Sequence, residues 1–219
     1  MPRDRTRTNA SAHLWIAIIG SIAIIVIAIT AKVPTYHVSP VFLVPLLWLG
    51  YLLRNKFAIT SFSYAAFFLA ILLHDLGAYG FYQDSPLGFS WDILVHYYFA
   101  IPAALIFRGA LAHHFPMLRP WQLNVTTLLF IMGVGALHEI MEYCSYLLLG
   151  EEKGMLKPKT SYFFDTQRDL TNNLLGCLTA LIGRTIFDRF NSNDREESRR
   201  GFEVSVRNAP EQERQDQQR

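Results

Sequence analysis

Pairs of carboxylates and imidazoles interrupt otherwise apolar stretches of this chain: His74 with Asp75, Asp92 with His96, His138 and Glu139 with Glu142, and Asp165 with Asp169. On a helix, residues three or four apart share a face, with roughly 5–6 Å between their Cβ atoms. Such pairs projecting from several helices form the donor set of metal sites in helical bundles. By ligand type they suit Zn, Mn or Fe about equally well. Asp92, His96, Glu142 and Asp169 are the best candidate metal ligands, His74 and Asp75 are further ones, and Glu139 and Asp165 are the candidate catalytic acid or base. The same groups would serve a proton relay or a cation path. They would equally serve as hydrogen-bonding glue between helices. All three chemistries stay open on the residues alone.

Other motifs are weaker. His138-Glu139-Ile140-Met141-Glu142 resembles a zincin motif but lacks the second histidine at the fifth place, so a metalloprotease is a poor fit. Cys144 and Cys177 are the only cysteines, have no Cys-x-x-Cys partner, and read as small apolar packers. His113 and His114 fall in a turn before Pro116 and read as interfacial. Arg168, set between Asp165 and Asp169, reads as a local ion pair or as a holder of an anionic headgroup. No phosphate loop, nucleotide fingerprint or Gly-x-Ser-x-Gly element is present.

The elements that must carry these groups follow from composition. The 219 residues are 51% hydrophobic and only 17% charged, too apolar for an ordinary water-soluble domain. The net charge of +2 argues against nucleic-acid binding. A hydrocarbon core takes roughly 20 apolar helical residues to cross. Six runs of about that length occur: Leu14–Ala31, Pro34–Leu53, Phe57–Tyr82, Asp92–Ala112, Leu123–Leu149 and Asp169–Phe187. Pro40 and Pro45 predict a kink in the second. The first exceeds a signal-peptide core and ends in a poor cleavage site, so it reads as a retained helix.

Lys and Arg are in excess on cytoplasmic loops. With the N-terminus inside, Arg3, Arg5, Arg7, Arg54, Lys56, Arg108, Arg119, Arg184 and Arg189 fall on the cytoplasmic side, and Lys32, Lys153, Lys157, Lys159 and Arg168 fall outside. Both termini are therefore expected in the cytoplasm. Trp15, Trp91 and Trp121 stand at span starts, where an indole is favoured at the headgroups; Trp48 lies deeper. In this topology every acid and histidine of the cluster reaches one extracytoplasmic level. A charge at the bilayer centre costs about 2.5 kcal/mol or more, so each needs a partner, a proton or a watery cavity. Gly176, Ala180 and Gly183 continue the face of Asp169, Asn172 and Asn173 and predict close approach of a neighbouring helix.

The predicted organisation is a cytoplasmic segment at 1–13, a transmembrane domain at 14–187 and a cytoplasmic tail at 188–219. That tail holds 15 of the 38 charged side chains and is expected to be disordered.

In order along the chain, His74 with Gly77 and Tyr79, Asp92-x-x-x-His96, Glu139-x-x-Glu142-Tyr143 and Asp165-Thr166-Gln167-Arg168-Asp169 resemble the YjdF-like family of small bacterial inner-membrane proteins. The likeness covers residues 74 to 176, about half the chain, and its last acidic element is the most specific. Two places depart from the family pattern: a Lys-containing loop at Glu151–Phe164 replaces a glycine-rich turn, and His138 stands where the family has aromatics. More distantly, Asp169-x-x-x-Asn173-x-x-Gly176 resembles VanZ-like membrane proteins, which implies envelope biology.

The reading is thus an all-α integral membrane protein of the bacterial inner membrane, a six-helix transmembrane bundle with a His/carboxylate cluster facing outward. Its function is expected to be that of a divalent-metal-dependent enzyme acting on a lipid or envelope component. A cation or proton transporter and a non-catalytic scaffold are the alternatives. The bilayer is the expected partner, with no nucleic acid.

Overall fold

In the computed structural model, which describes residues 10–31, 39–77, 80–82, 84–149 and 162–208, the described chain is helical. The helices are α1 (Ala10–Thr30), α2 (Ser39–Leu53), α3 (Ser61–Leu76), α4 (Trp91–His114), α5 (Pro120–Leu149) and α6 (Tyr162–Asn208). Each overlaps one of the six apolar runs. Three are long and apolar enough to cross a membrane: Ala10–Thr30, Trp91–His114 and Pro120–Leu148. α2 and α3 are apolar but have only 15 and 16 residues, so at 1.5 Å per residue they are shorter than a typical hydrocarbon core. Pro40 falls at the second residue of α2, where its missing N–H costs nothing, and Pro45 lies inside that helix.

Local chemistry fixes the helix starts. Thr60 caps α3 by accepting the Ser63 N–H at 3.1 Å. α5 opens on Pro120, and Gln122 reaches back to accept the Arg119 N–H at 2.8 Å, half of a capping box.

Contacts divide the chain into a unit from Met1 to Leu181 and a second from Ile182 to Arg219. The first contains two apolar cores. Ala17, Ile24, Leu47, Tyr64 and Ile71 join α1, α2 and α3; Ala100, Ala104, Ile131, Cys177, Ala180 and Leu181 join α4, α5 and α6. The first core is tied by polar bonds as well. Tyr64 donates to the Leu47 carbonyl at 2.7 Å, and Trp48 donates to Ser21 at 3.0 Å. His13, fully enclosed, donates to the Ile59 carbonyl at 3.0 Å and stacks on Tyr64 at 5.2 Å. Large apolar side chains such as Ile22 and Ile29 on α1 and Leu129, Leu137 and Ile140 on α5 point away from the helices, as a lipid-facing surface requires.

Three expectations change. Trp91 is buried and donates its indole N–H to the Leu73 carbonyl at 2.9 Å, so it ties α3 to α4 rather than resting at the headgroups; a buried indole needs that partner. Cys177 packs in a core as expected, whereas Cys144 is exposed. The segment from 188 was expected to be disordered, yet α6 continues to Asn208; its Glu- and Arg-rich sequence has high helix propensity. In that second unit Arg184 and Asp188, one turn apart, pair at 3.0 Å. Residues 209–219 lie outside the described set.

Candidate functional site

The Trp91 bond pins the start of α4 against the end of α3. From there Asp92 and His96, one turn apart, face α6. The approach of α6 is set by Gly176: a Cβ there would lie 2.0 Å from the Tyr97 backbone oxygen, so no other residue permits this spacing. Gly135 on α5 also faces α6, but a Cβ there would meet the end of the Asn173 side chain at 2.7 Å rather than backbone, so the constraint is softer than at Gly176. Gly183 does not share this role, because nothing lies within 4 Å of a Cβ built on it.

Two turns before Gly176, Asp169 is thereby carried to His96. His96 Nε2 lies 3.4 Å from Asp92 Oδ1 and 3.8 Å from Asp169 Oδ2. All three residues are buried, and each offers a ligand atom within 4.8 Å of the others. The remaining carboxylate oxygens are held from behind by Arg168, which donates from Nη2 to Asp92 Oδ2 at 2.7 Å and from Nε to Asp169 Oδ1 at 3.2 Å. Arg168 also donates to Asp165. Each aspartate of the triad therefore gives one oxygen to the guanidinium and turns the other toward the imidazole. This is how an outer partner orients ligands around a metal.

A second group lies on α5. His138 Nε2 is 3.2 Å from Glu142 Oε1, and the His138 ring is 5.7 Å from that of His96. Glu139 is buried beside them, with Oε1 lacking a hydrogen-bond partner among the described residues. A cavity of about 410 Å³ opens between α5 and α6, lined by Glu139, Glu142 and Tyr143 on one helix and Asp165, Thr166, Gln167 and Leu170 on the other.

Of the candidate ligands, then, the structure brings together Asp92, His96 and Asp169. Glu142 stands beside His138 at the cavity, with Glu139 and Asp165 as its neighbours on the wall. His74 Nδ1 shares a 2.8 Å hydrogen bond with the Tyr82 hydroxyl, whose ring folds over Gly77 where a side chain would not fit. Asp75 is wholly buried on α3 and is not part of the triad. His114 donates to the Lys56 carbonyl at 2.7 Å, far along α4 from the site. Past the triad, α4, α5 and α6 close on their apolar core, beyond which the buried Arg108 donates to Asn124 at 2.8 Å.

Sequence reasoning underrated two residues. Its place between Asp165 and Asp169 suggests for Arg168 a local ion pair or a hold on an anionic headgroup, but it also grips Asp92, 76 residues away. His138 shares a helix face with Glu142 by its i,i+4 spacing but is absent from the expected ligand set, and the structure puts the two 3.2 Å apart.

With the geometry in place, comparison with known proteins agrees on the class. The chain belongs to the predicted membrane protein family DUF2238, whose model matches residues 12–189. No curated protein and no solved structure matches it.

Proposed function

We propose that this membrane protein is a divalent-metal-dependent enzyme of the bacterial inner membrane, with Asp92, His96 and Asp169 as the metal ligands. The observation that carries this reading is the convergence of three buried donor atoms within 4.8 Å, each aspartate's other oxygen being fixed by Arg168. Three protein ligands leave a coordination position open, as catalytic sites do. A bound Zn, Mn or Fe ion would supply Lewis-acid polarisation there. Glu139 and Asp165, which line the adjoining cavity, would hold or move a proton on a molecule seated in it.

In the topology we propose, all six helices span the bilayer, both termini are cytoplasmic, and the site faces the extracytoplasmic leaflet. Lysine and arginine asymmetry supports this orientation. A lipid or another envelope component would then reach the cavity laterally or from outside. The transporter reading is disfavoured by the apolar layer of Ala100, Ala104, Ile131, Cys177, Ala180 and Leu181, which separates the cluster from Arg108 and Asn124.

Elemental analysis of protein purified without chelators tests the proposal. About one equivalent of a transition metal, lost in Asp169→Asn, is the expected result. Less than about a tenth of an equivalent in folded wild-type protein overturns it and leaves a structural ion-pair cluster.

A further inference from the structure

The cavity between α5 and α6 encloses about 410 Å³, within the roughly 300–1,000 Å³ of small-molecule sites. That is far more room than a metal ion needs. Its charged wall is acidic throughout: Glu139, Glu142 and Asp165 line it, and none of the lining side chains among the described residues is cationic. Arg168 is turned toward Asp92, Asp165 and Asp169, so it offsets only one of the three wall acids directly. His138 stands beside Glu142.

Glu139 and Glu142 each keep a buried Oε1 with no hydrogen-bond partner among the described residues, but Glu142 has the His138 imidazole 3.2 Å from it and Glu139 has no such neighbour at its own Oε1. Glu139 is 6% exposed, with Thr166 beside its carboxyl. A buried carboxylate oxygen without a donor is costly, and a ligand that brings a charged N–H relieves the cost. Tyr143, half-exposed on the same wall, adds an aromatic face of the kind that attracts cations. An anion entering here would meet three acids and, among the described residues that line the cavity, no cation. A neutral alcohol would supply hydrogen bonds but leave the negative charge uncompensated.

We propose that this cavity binds the ammonium group of a primary amine, with Glu139 as its main acceptor. To call that amine the substrate rests on the catalytic reading above; the binding itself does not. The ammonium has two sources, the headgroup of an aminolipid or a small soluble amine, and both present the same chemistry to Glu139.

The test uses the purified full chain in detergent and saturation-transfer NMR with ethanolamine, ethylene glycol and acetate as probes. Ethanolamine is expected to bind at least about tenfold more tightly than ethylene glycol, acetate not at all, and Glu139→Gln to cost the amine about tenfold. Asp165→Asn, equally close in size, should cost less, because Arg168 already offsets that charge. Equal binding of amine and alcohol by folded wild-type protein, or binding of acetate, overturns the proposal without recourse to any variant.

Lipid nanodiscs then separate the sources. Weaker ethanolamine binding in phosphatidylethanolamine discs than in phosphatidylglycerol discs assigns the site to a lipid amine, and equal affinity in the two assigns it to a soluble one. Amine selectivity in protein that holds no metal sinks the metal reading and leaves this one standing. A bound metal without amine selectivity does the reverse.

Discussion

Arg168 on α6 and Asp92 on α4 meet at 2.7 Å across 76 residues of chain, and this contact closes the site. Asp92 and Asp169 are almost wholly buried, while Arg168 is 30% exposed. Removing the guanidinium would leave three neighbouring carboxylates without their shared partner. Arg168→Met should therefore destabilise the fold by about 3 kcal/mol, the low end for breaking a buried pair because the arginine is partly exposed. Arg168→Lys should fall between, since a single ammonium cannot reproduce a fork that reaches three acids. Thermal unfolding in detergent checks both, and equal melting temperatures for all three proteins would remove Arg168 from this role.

The close approach of α4 and α6 gives a sharper contrast. Gly176→Ala places a methyl 2.0 Å from the Tyr97 backbone oxygen, where no flexible side chain can yield. The helices must part, and the cost should reach about 3 kcal/mol. Gly183→Ala meets nothing within 4 Å and replaces a helix-weakening glycine, so it should be neutral or gain up to about 1 kcal/mol. Folded yield from membranes and melting temperature should therefore move in one variant and not in the other.

These two glycines also mark where sequence reading stops. Both lie on the face that Asp169 begins, and both are small, so periodicity gives them the same meaning. Only the docking of α4 distinguishes them. The helices themselves were legible, because apolar runs of membrane length leave little choice of structure. Asp92 with His96 was legible too, since i,i+4 spacing is local. Arg168 to Asp92 was not, since a contact across 76 residues depends on how two helices pack. The same reason explains Trp91: position at a span start suggested a headgroup anchor, whereas the neighbouring end of α3 buries it.

Topology is the third prediction, and it rests on the uneven distribution of Lys and Arg. A reporter fused after Arg219 should behave as cytoplasmic, and one inserted within Glu151–Thr160 should behave as extracytoplasmic. Alkaline phosphatase and a fluorescent protein give opposite signals at each place. An active phosphatase after Arg219 would reverse the orientation and put the cluster on the inner leaflet.

The last prediction separates chemistry from packing through the acids themselves. Glu142→Gln and Asp169→Asn keep size and most hydrogen-bonding capacity. Asp169 accepts from Arg168 through Oδ1 and turns Oδ2 to His96, and an amide can retain the first contact while losing the charge that holds a metal. If the cluster only joins helices, both variants should accumulate, melt and function nearly as wild type. If it holds a metal, Asp169→Asn should lose the ion while the protein still accumulates. Glu142→Gln should keep the ion, because Glu142 stands beside His138 and outside the triad. Metal content and folded yield measured on the same preparations decide the matter. A fall in metal that merely follows a fall in folded protein, in both variants alike, would leave the structural reading in place.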